Sequence, residues 1–391
     1  MLLNIIILKI NMIIFNMNHI KYNHSKYNIE KYINPFFIDD LNDIDIIINK
    51  SLNYYLNIEK NYIERYQKKW DIYKKITYNF EYISSSNKLY KSTPICSLRP
   101  ISRAFYKMIE ICNRMNLLNE LNYNIKSLHL AEAPGGFVEA LSYLRDNKND
   151  NYYGITLIDD IHKTPKWKSS NIISYDNFKI EYGSTKDGNL ISNENLSYIY
   201  NKHKNSCHII TGDGGIDFTN NYSDQEKVMS KLIFSQIAFA ISCQIKGGTF
   251  ILKMFDIFTE ITLDYIYLLN CLYKDVYIYK PFTSRIANSE KYIICKNFKL
   301  NDSENLFKIF NKILEKFKIK YIKRLFNFDL PLNFINDIEN INSTIGKKQL
   351  DNIIYTINLI RKNETFIDEN KNIKDCKNWC IMNNLPYNKC N

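Results

Sequence analysis

The stretch Ser127–Glu139, SLHLAEAPGGFVE, decides the fold. Leu128 to Ala131 read as a buried strand that runs into a tight turn, with Gly135 and Gly136 making the turn and Pro134 stiffening the approach. Phe137 starts a helix that carries Val138, Leu141 and Leu144. A strand, a glycine turn and a helix in succession leave free backbone N–H groups at the helix N-terminus, with no side chain to block a ligand. Glu132 sets one carboxylate beside the turn. The unit suits a polar small molecule with a nucleoside or amino-acid end. An ordinary strand-to-helix turn carries the same two glycines, so the rest of the chain must decide between the two readings.

Glycine points to where that decision lies. Of the 11 glycines in 391 residues, all but Gly346 fall between Gly135 and Gly248. The central third is therefore the tight-turned, ligand-bearing part, and the glycine-poor flanks are expected to be mainly helical. The expected organisation is an N-terminal extension over 1–100, a central domain over 101–300 and a C-terminal extension over 301–391. In the centre, NYYGITLID is a second strand, YGSTKDGNL a loop, and SCHIITGDGGID a strand that ends at Asp213. Ser223 and Glu226 have the spacing of a capping box for a helix reaching Cys243. GGTFILKMFD is a strand with Lys253 in its C-terminal half, ITLDYIYLLNCLY a helix, and DVYIYK and KYIICKNF a closing antiparallel pair. Upstream, SRAFYKMIEICNRMNLL is a helix capped by Ser102, with Ala104, Met108, Ile111 and Met115 facing inward and Lys107 at the inner edge. Alternating strands and helices give an α/β sheet with its site at the carboxyl ends of the strands.

Lys107, Asp213, Lys253 and Glu290 all reach that rim. A lysine is protonated at neutral pH, and it accepts a proton only where burial and a second cation favour the neutral amine. Carboxylates on either side would keep it positioned. Such a set suits removal of a proton from a weakly acidic hydroxyl. It contains no thiol nucleophile, no serine–histidine pair and no metal ligand set. Strand-end charges are also commonly just solvated.

The residues resemble the FtsJ/RrmJ-type ribose 2′-O-methyltransferases, closest to their cap-specific mRNA branch. HLAEAPGGF, TGDGG, GGTFILKMFD and KPFTSRIANSEKYIICK carry the resemblance, in order, over Ser102–Lys299. It implies a Rossmann-like fold that uses S-adenosylmethionine, with a mostly parallel seven-stranded sheet and helices on both faces. It also implies a K-D-K-E tetrad at Lys107, Asp213, Lys253 and Glu290. Lys253 would be the base on the 2′-hydroxyl, Lys107 would favour its neutral form, Asp213 would orient it and Glu290 would complete the network. Glu132, Pro134, Gly135, Gly136 and Phe137 would form the cofactor turn. Many relatives place an acid two residues after the glycine of the second strand, where this chain has Thr156 after Gly154. Adenine would be met by Asp187 or Asn189, with Asp213 also facing the cofactor. The implied substrate is RNA at the capped 5′ end of mRNA. An rRNA or tRNA 2′-O-methyltransferase and a catalytically silent RNA-binding subunit are the alternatives. A capping-machinery or polymerase partner is implied only in general terms, since no motif identifies one.

The remaining features bear on partners and compartment. The formal charge of +11 suits a polyanion. Between Lys60 and Lys75 six basic residues meet two acids, and Tyr54, Tyr55, Ile58, Tyr62, Tyr66 and Trp70 are spaced to line one helical face. A basic, aromatic-rich helix can track phosphates and stack bases; a solvated face over a tyrosine-rich core has the same pattern. Nine scattered cysteines, with one C-x3-C pair at Cys376 and Cys380, form neither a disulfide framework nor a zinc site and suit an intracellular, reducing compartment. The apolar N-terminus is interrupted by Asn4, Lys9, Asn11 and Asn16, so it is expected to be a peripheral strand or helix rather than a membrane span, with Met17 an alternative start.

Overall fold

The computed structural model describes residues 13–17, 28–86, 93–119, 121–159, 165–167, 175–215, 224–365 and 368–388. Ser223, one half of the expected capping box, lies outside these residues. The central sheet contains β1 (Ile13–Asn16), β3 (Lys126–Leu130), β4 (Asn151–Ile155), β5 (Phe178–Glu181), β6 (Cys207–Gly212), β7 (Gln244–Met254), β8 (Tyr273–Lys280) and β9 (Lys291–Phe298). Their spatial order is β1-β8-β9-β7-β6-β3-β4-β5. Strands β5, β4, β3, β6 and β7 are parallel, and β9 runs antiparallel between β7 and β8. The seven strands implied by the resemblance are thus joined by an eighth, because β1 adds antiparallel to the outer edge of β8. That addition covers backbone groups which would otherwise be free to template pairing with another chain.

Period-two alternation along the central strands feeds two cores. Phe250, Leu252 and Met254 of β7, with Ile293 and Cys295 of β9, face one core. Ile251, Tyr292 and Ile294 face the other. The first core is closed by α5 (Asn193–His203), α6 (Gln225–Cys243), α7 (Glu260–Leu272) and α8 (Glu304–Phe317). The second is closed by α3 (Ala104–Met115), α4 (Gly136–Arg145) and α10 (Glu369–Met382). Strands buried on both faces with helices over each are what a parallel sheet requires.

The flanks are mainly helical, with one small sheet added. β2 (Ile33–Ile38) pairs antiparallel with β10 (Tyr321–Phe326) as a separate two-stranded sheet. The helices α1 (Lys50–Arg65), α2 (Gln67–Ile76) and α9 (Leu332–Lys362) share a third core of Leu56, Ile63, Trp70, Tyr73, Ile353, Ile357 and Ile360, reached by Phe258 from the central domain. The helix breaks at Tyr66, whose φ of −119° and ψ of 18° are non-helical. The first of the two helices buries Leu56, Lys60 and Ile63, so the expected single aromatic stripe divides: Trp70 is buried, whereas Tyr54 and Tyr55 are exposed.

Two expected caps are used otherwise. Ser102 is not the N-cap of α3; Arg103 holds that position and no side chain caps it. The Glu226 carboxylate reaches across to another helix. It accepts from the Phe258 N–H at 2.9 Å, the Thr259 N–H at 2.8 Å and the Thr259 hydroxyl at 2.7 Å, and so caps the start of α7.

Ser102 instead packs on Gly136. A Cβ on Gly136 would lie 2.3 Å from the Ser102 Oγ and 2.9 Å from the Phe105 backbone nitrogen. The glycine is therefore required first for α4 to approach α3, and only through that for any ligand. Gly136→Val should lower stability by about 1–3 kcal/mol through overpacking, read as a drop in melting temperature without any ligand present. An unchanged melting temperature would contradict this packing.

Candidate active site

The parallel strands end on one rim, and four loops meet there. After β3 the chain passes through Ala131 at φ 52°, a cis Ala133–Pro134 bond and Gly135 at φ 108°, then enters α4. This is the turn of Pro134, Gly135 and Gly136, built by positive backbone angles that a β-branched residue would not adopt. Two members of the expected ligand set face the protein instead. Glu132 is buried: Oε1 accepts the Val138 N–H at 2.9 Å, and Oε2 accepts the Thr211 hydroxyl at 2.7 Å and lies 2.8 Å from His129 Nδ1. It braces the turn against β6, because a carboxylate under a helix N-terminus finds unpaired N–H groups there. Phe137 is fully buried, with its ring 5.8 Å from that of Tyr292.

Thr156 follows β4, and Asp187 and Asn189 lie in the loop after β5. These two loops are joined where the Ile158 N–H donates to the Asp187 carbonyl at 2.7 Å. Gly188, at φ 66°, fits tightly there, since a Cβ would lie 1.9 Å from the Thr156 carbonyl oxygen. The Asp187 carboxylate accepts from the Asn189 N–H at 2.9 Å and the Asn195 amide at 3.0 Å. Burial would raise its pKa, but the Thr185 hydroxyl and these donors outweigh burial and hold it below the usual range. Asn189 caps the Ile191 N–H at 2.9 Å. Both side chains shape the loop, and the structure brings both to the rim.

Lys107, Asp213, Lys253 and Glu290 come together as two ion pairs. Lys253 on β7 lies 3.3 Å from Asp213 Oδ1 and donates to the Asp213 carbonyl at 2.6 Å. Lys107 on α3 lies 2.7 Å from one Glu290 oxygen and 2.8 Å from the other. All four side chains are between 11% and 16% exposed, so a small group can reach them while most water is excluded. Burial raises the Asp213 pKa against the pull of Lys253 and Lys107. Burial acts on Glu290 in the same sense, but Lys107, Lys253 and Lys280 overcome it and hold Glu290 down at about 2. Each carboxylate thus feels both lysines of the cluster. Gly215 leaves room at the base of it, since a Cβ there would lie 3.3 Å from the Lys253 ammonium.

Several residues that fix this cluster went unrecognised in the sequence. Tyr292 stands opposite Lys253 in the β7–β9 register and donates to Asp213 Oδ1 at 3.0 Å. Glu110, one turn after Lys107, is fully buried and accepts from the Phe282 N–H at 2.7 Å, the Thr283 hydroxyl at 3.0 Å and the Trp379 indole at 2.9 Å. It ties the helix of Lys107 to the loop of Glu290. Lys280 donates to the carbonyls of Asn288 and Glu290, each at 2.6 Å, and burial lowers its pKa to about 7. Lys60 from α1 makes a buried 2.7 Å pair with Asp256, three residues after Lys253. Helical spacing puts Glu110 on one stripe with Arg103, Lys107 and Arg114, so no sequence signal set it apart as a buried acid with dedicated partners.

Among the described residues no group of three or more histidine, cysteine, aspartate or glutamate side chains could hold a metal ion, and no helix is long and apolar enough to cross a membrane. The eight cysteines within them are free and buried.

A family model described as FtsJ-like methyltransferase matches residues 100–298. The cap-specific mRNA (nucleoside-2′-O-)-methyltransferase 2 of Drosophila melanogaster is 27% identical over 290 residues, which cover 68% of this chain and 40% of that protein. The cap-specific mRNA (nucleoside-2′-O-)-methyltransferase 1 of Dictyostelium discoideum is 34% identical over 236 residues, 53% of this chain and 31% of that protein. A Caenorhabditis briggsae protein named as the inactive cap-specific methyltransferase 1B is 25% identical over 268 residues, 64% of this chain and 31% of that protein. The chain thus spans well under half the length of these relatives.

The Glu290 pair has a pH signature. In an unfolded chain Glu290 protonates near its ordinary 4.5, but in the folded protein only near 2. Its contribution to stability is therefore complete above about pH 4.5 and is lost as pH falls towards 2. Glu290→Gln should weaken the acid-side fall in stability across that window, measured by denaturant titration at several pH values. Identical slopes for the two proteins would contradict the pairing.

Proposed function

Since the chain belongs to the FtsJ-like methyltransferase family, we propose that it transfers a methyl group from S-adenosylmethionine to a ribose 2′-hydroxyl of RNA, at the cap-proximal end of mRNA. The observation that carries this reading is the pairing of Lys107 with Glu290 and of Lys253 with Asp213 beside the Gly135 turn. Bound S-adenosylmethionine supplies an electrophilic methyl on a sulfonium. Pro134, Gly135 and Gly136 would hold it at the end of β3, with Thr156, Asp187 and Asn189 along the next two strand ends. The turn fits such a group because its positive-φ backbone brings no bulky side chain to the rim.

Lys253 removes the 2′-hydroxyl proton, leaving the oxygen to attack. Asp213 and Tyr292 hold Lys253 in place. Lys107, fixed by Glu290, sets a second positive charge in the same cluster, which steadies the developing alkoxide. The similarity to cap-specific relatives favours a capped mRNA substrate over rRNA or tRNA. A silent RNA-binding subunit is disfavoured by the site: two lysines held face to face with partly buried carboxylates is an arrangement that stability alone does not call for.

The basic 60–75 segment has a divided role in this reading. Lys60 is committed to Asp256, but Arg65, Lys68, Lys69 and Lys75 are exposed, as are Lys347, Lys348, Arg361 and Lys362 on the adjoining α9. These groups form the surface on which RNA phosphates would run.

Two predictions follow from these roles. Lys253→Ala should abolish transfer while leaving cofactor affinity intact. Lys253→Arg should fail as well, because a guanidinium stays protonated and cannot accept the proton. Turnover by Lys253→Arg near the normal rate would show that Lys253 is not the base. Separately, RNA affinity should fall steeply with salt, and charge reversal at Lys68 and Lys69 should reduce the logarithmic slope by about 1.4, the value for two lost single-strand phosphate contacts. A slope the substitutions leave unchanged would return α2 to the status of a solvated face.

A further inference from the structure

A cavity of about 200 Å³ lies beside the paired lysines, between α1, α2, α9 and the loop that carries Glu290. Lys60, Trp70, Gln225, Phe255, Ser289 and Gln349 are among the residues that line it, and Glu290 belongs to both the cavity and the charged cluster. Phe255 links the two as well, since the Lys253 ammonium lies 5.8 Å from the centre of its ring. We propose that this cavity takes one nucleobase of the RNA substrate, that of a nucleotide adjacent to the one whose ribose reaches Lys253. The proposal rests on the RNA methyl-transfer reading and adds to it a place where the substrate strand is gripped.

The chemistry of the lining selects the ligand. Its charges are already matched, Lys60 with Asp256 at 2.7 Å and Glu290 with Lys107 at 2.7 Å. A matched lining suits a neutral planar group and does not draw in a phosphate. Trp70 and Phe255, both mostly buried, supply aromatic walls, and bases stack on such surfaces whatever their sequence. Two polar groups remain for a base edge. Ser289 donates to the Gln225 carbonyl oxygen at 2.9 Å, and the Gln349 amide nitrogen donates to the Ala287 carbonyl at 3.2 Å. The Gln225 amide nitrogen and the Gln349 carbonyl oxygen have no partner among the described residues, which leaves one donor and one acceptor. The exposed Lys68 and Lys69 immediately precede Trp70 on α2. Phosphates of the same strand can therefore stay in solvent against these lysines while one base turns inward.

The test uses the full chain and short RNAs in which one base at a time is replaced by an abasic ribose. Transfer to the unmodified RNA is measured first, and its absence would overturn the methyl-transfer reading itself. Given transfer, the wild-type protein should show one position adjacent to the methylated nucleotide where base removal raises KM by about tenfold or more with little change in kcat. In Gln349→Leu the same base removal should matter much less, because base and side chain belong to one contact. Gln225→Leu provides a second variant should Gln349→Leu melt early. If the wild type tolerates abasic sites at both adjacent positions within about twofold, or if the penalty is equal in wild type and variants, the cavity does not hold a base.

Discussion

Two ammonium groups must be kept close together and largely out of water, and the structure around the site follows from that requirement. An unpaired buried charge is strongly unfavourable, so each lysine needs its own carboxylate at contact distance. Lys107 has Glu290 and Lys253 has Asp213. The carboxylates must then be held in turn. Tyr292 fixes Asp213 across the β7–β9 register, and Lys280 fixes the backbone on either side of Ser289 and so the position of Glu290. Glu110 gathers the Glu290 loop, the helix of Lys107 and the C-terminal helix onto one buried carboxylate. None of these supports touches the position a substrate would take. Their effect is to make the geometry of the four charges stiff, which is the condition for preorganised electrostatics to act on a transition state.

Residues outside the 100–298 match reach directly into this arrangement. Lys60 pairs with Asp256 just beyond Lys253. Glu81 binds Arg103 at the start of α3 and Arg285 in the Glu290 loop, at 3.0 and 2.9 Å. Trp379 donates to Glu110. The flanking segments are thus structural members of the site as well as a surface beside it. They carry the exposed lysines of α2 and α9 and enclose the cavity next to Glu290.

The fold was legible wherever its cause was local. The strand and turn around Ser127–Glu139 announced themselves by an apolar run meeting a proline and two glycines. The β8–β9 pair was readable because the segment between its strands, PFTSRIANSE, carries no helical apolar pattern. What escaped depended on partners far away in sequence. β5, four residues long, and the following α5 lacked a strong apolar run. Glu132 sits beside the glycine turn and so looked like a ligand contact, yet His129 and Thr211 draw it inward. Glu226 has the spacing of a capping box, yet its carboxylate also takes donors at the start of α7, more than thirty residues away. For the site, the four charged residues were readable through the family resemblance, and the structure brings all four into contact pairs. Glu110, Lys280 and Tyr292 were not readable, because what marks them is burial and the direction of their hydrogen bonds.

The central claim is that this arrangement of charges removes a proton from a ribose hydroxyl. The most direct measurement is mass spectrometry of nucleosides released from capped RNA, uncapped RNA and rRNA after incubation with the protein and isotopically labelled S-adenosylmethionine. The account predicts label on the ribose 2′-oxygen, concentrated at the first nucleotides of the capped RNA. Label on a base nitrogen or carbon, or no label in any RNA from a protein that binds the cofactor, would contradict it.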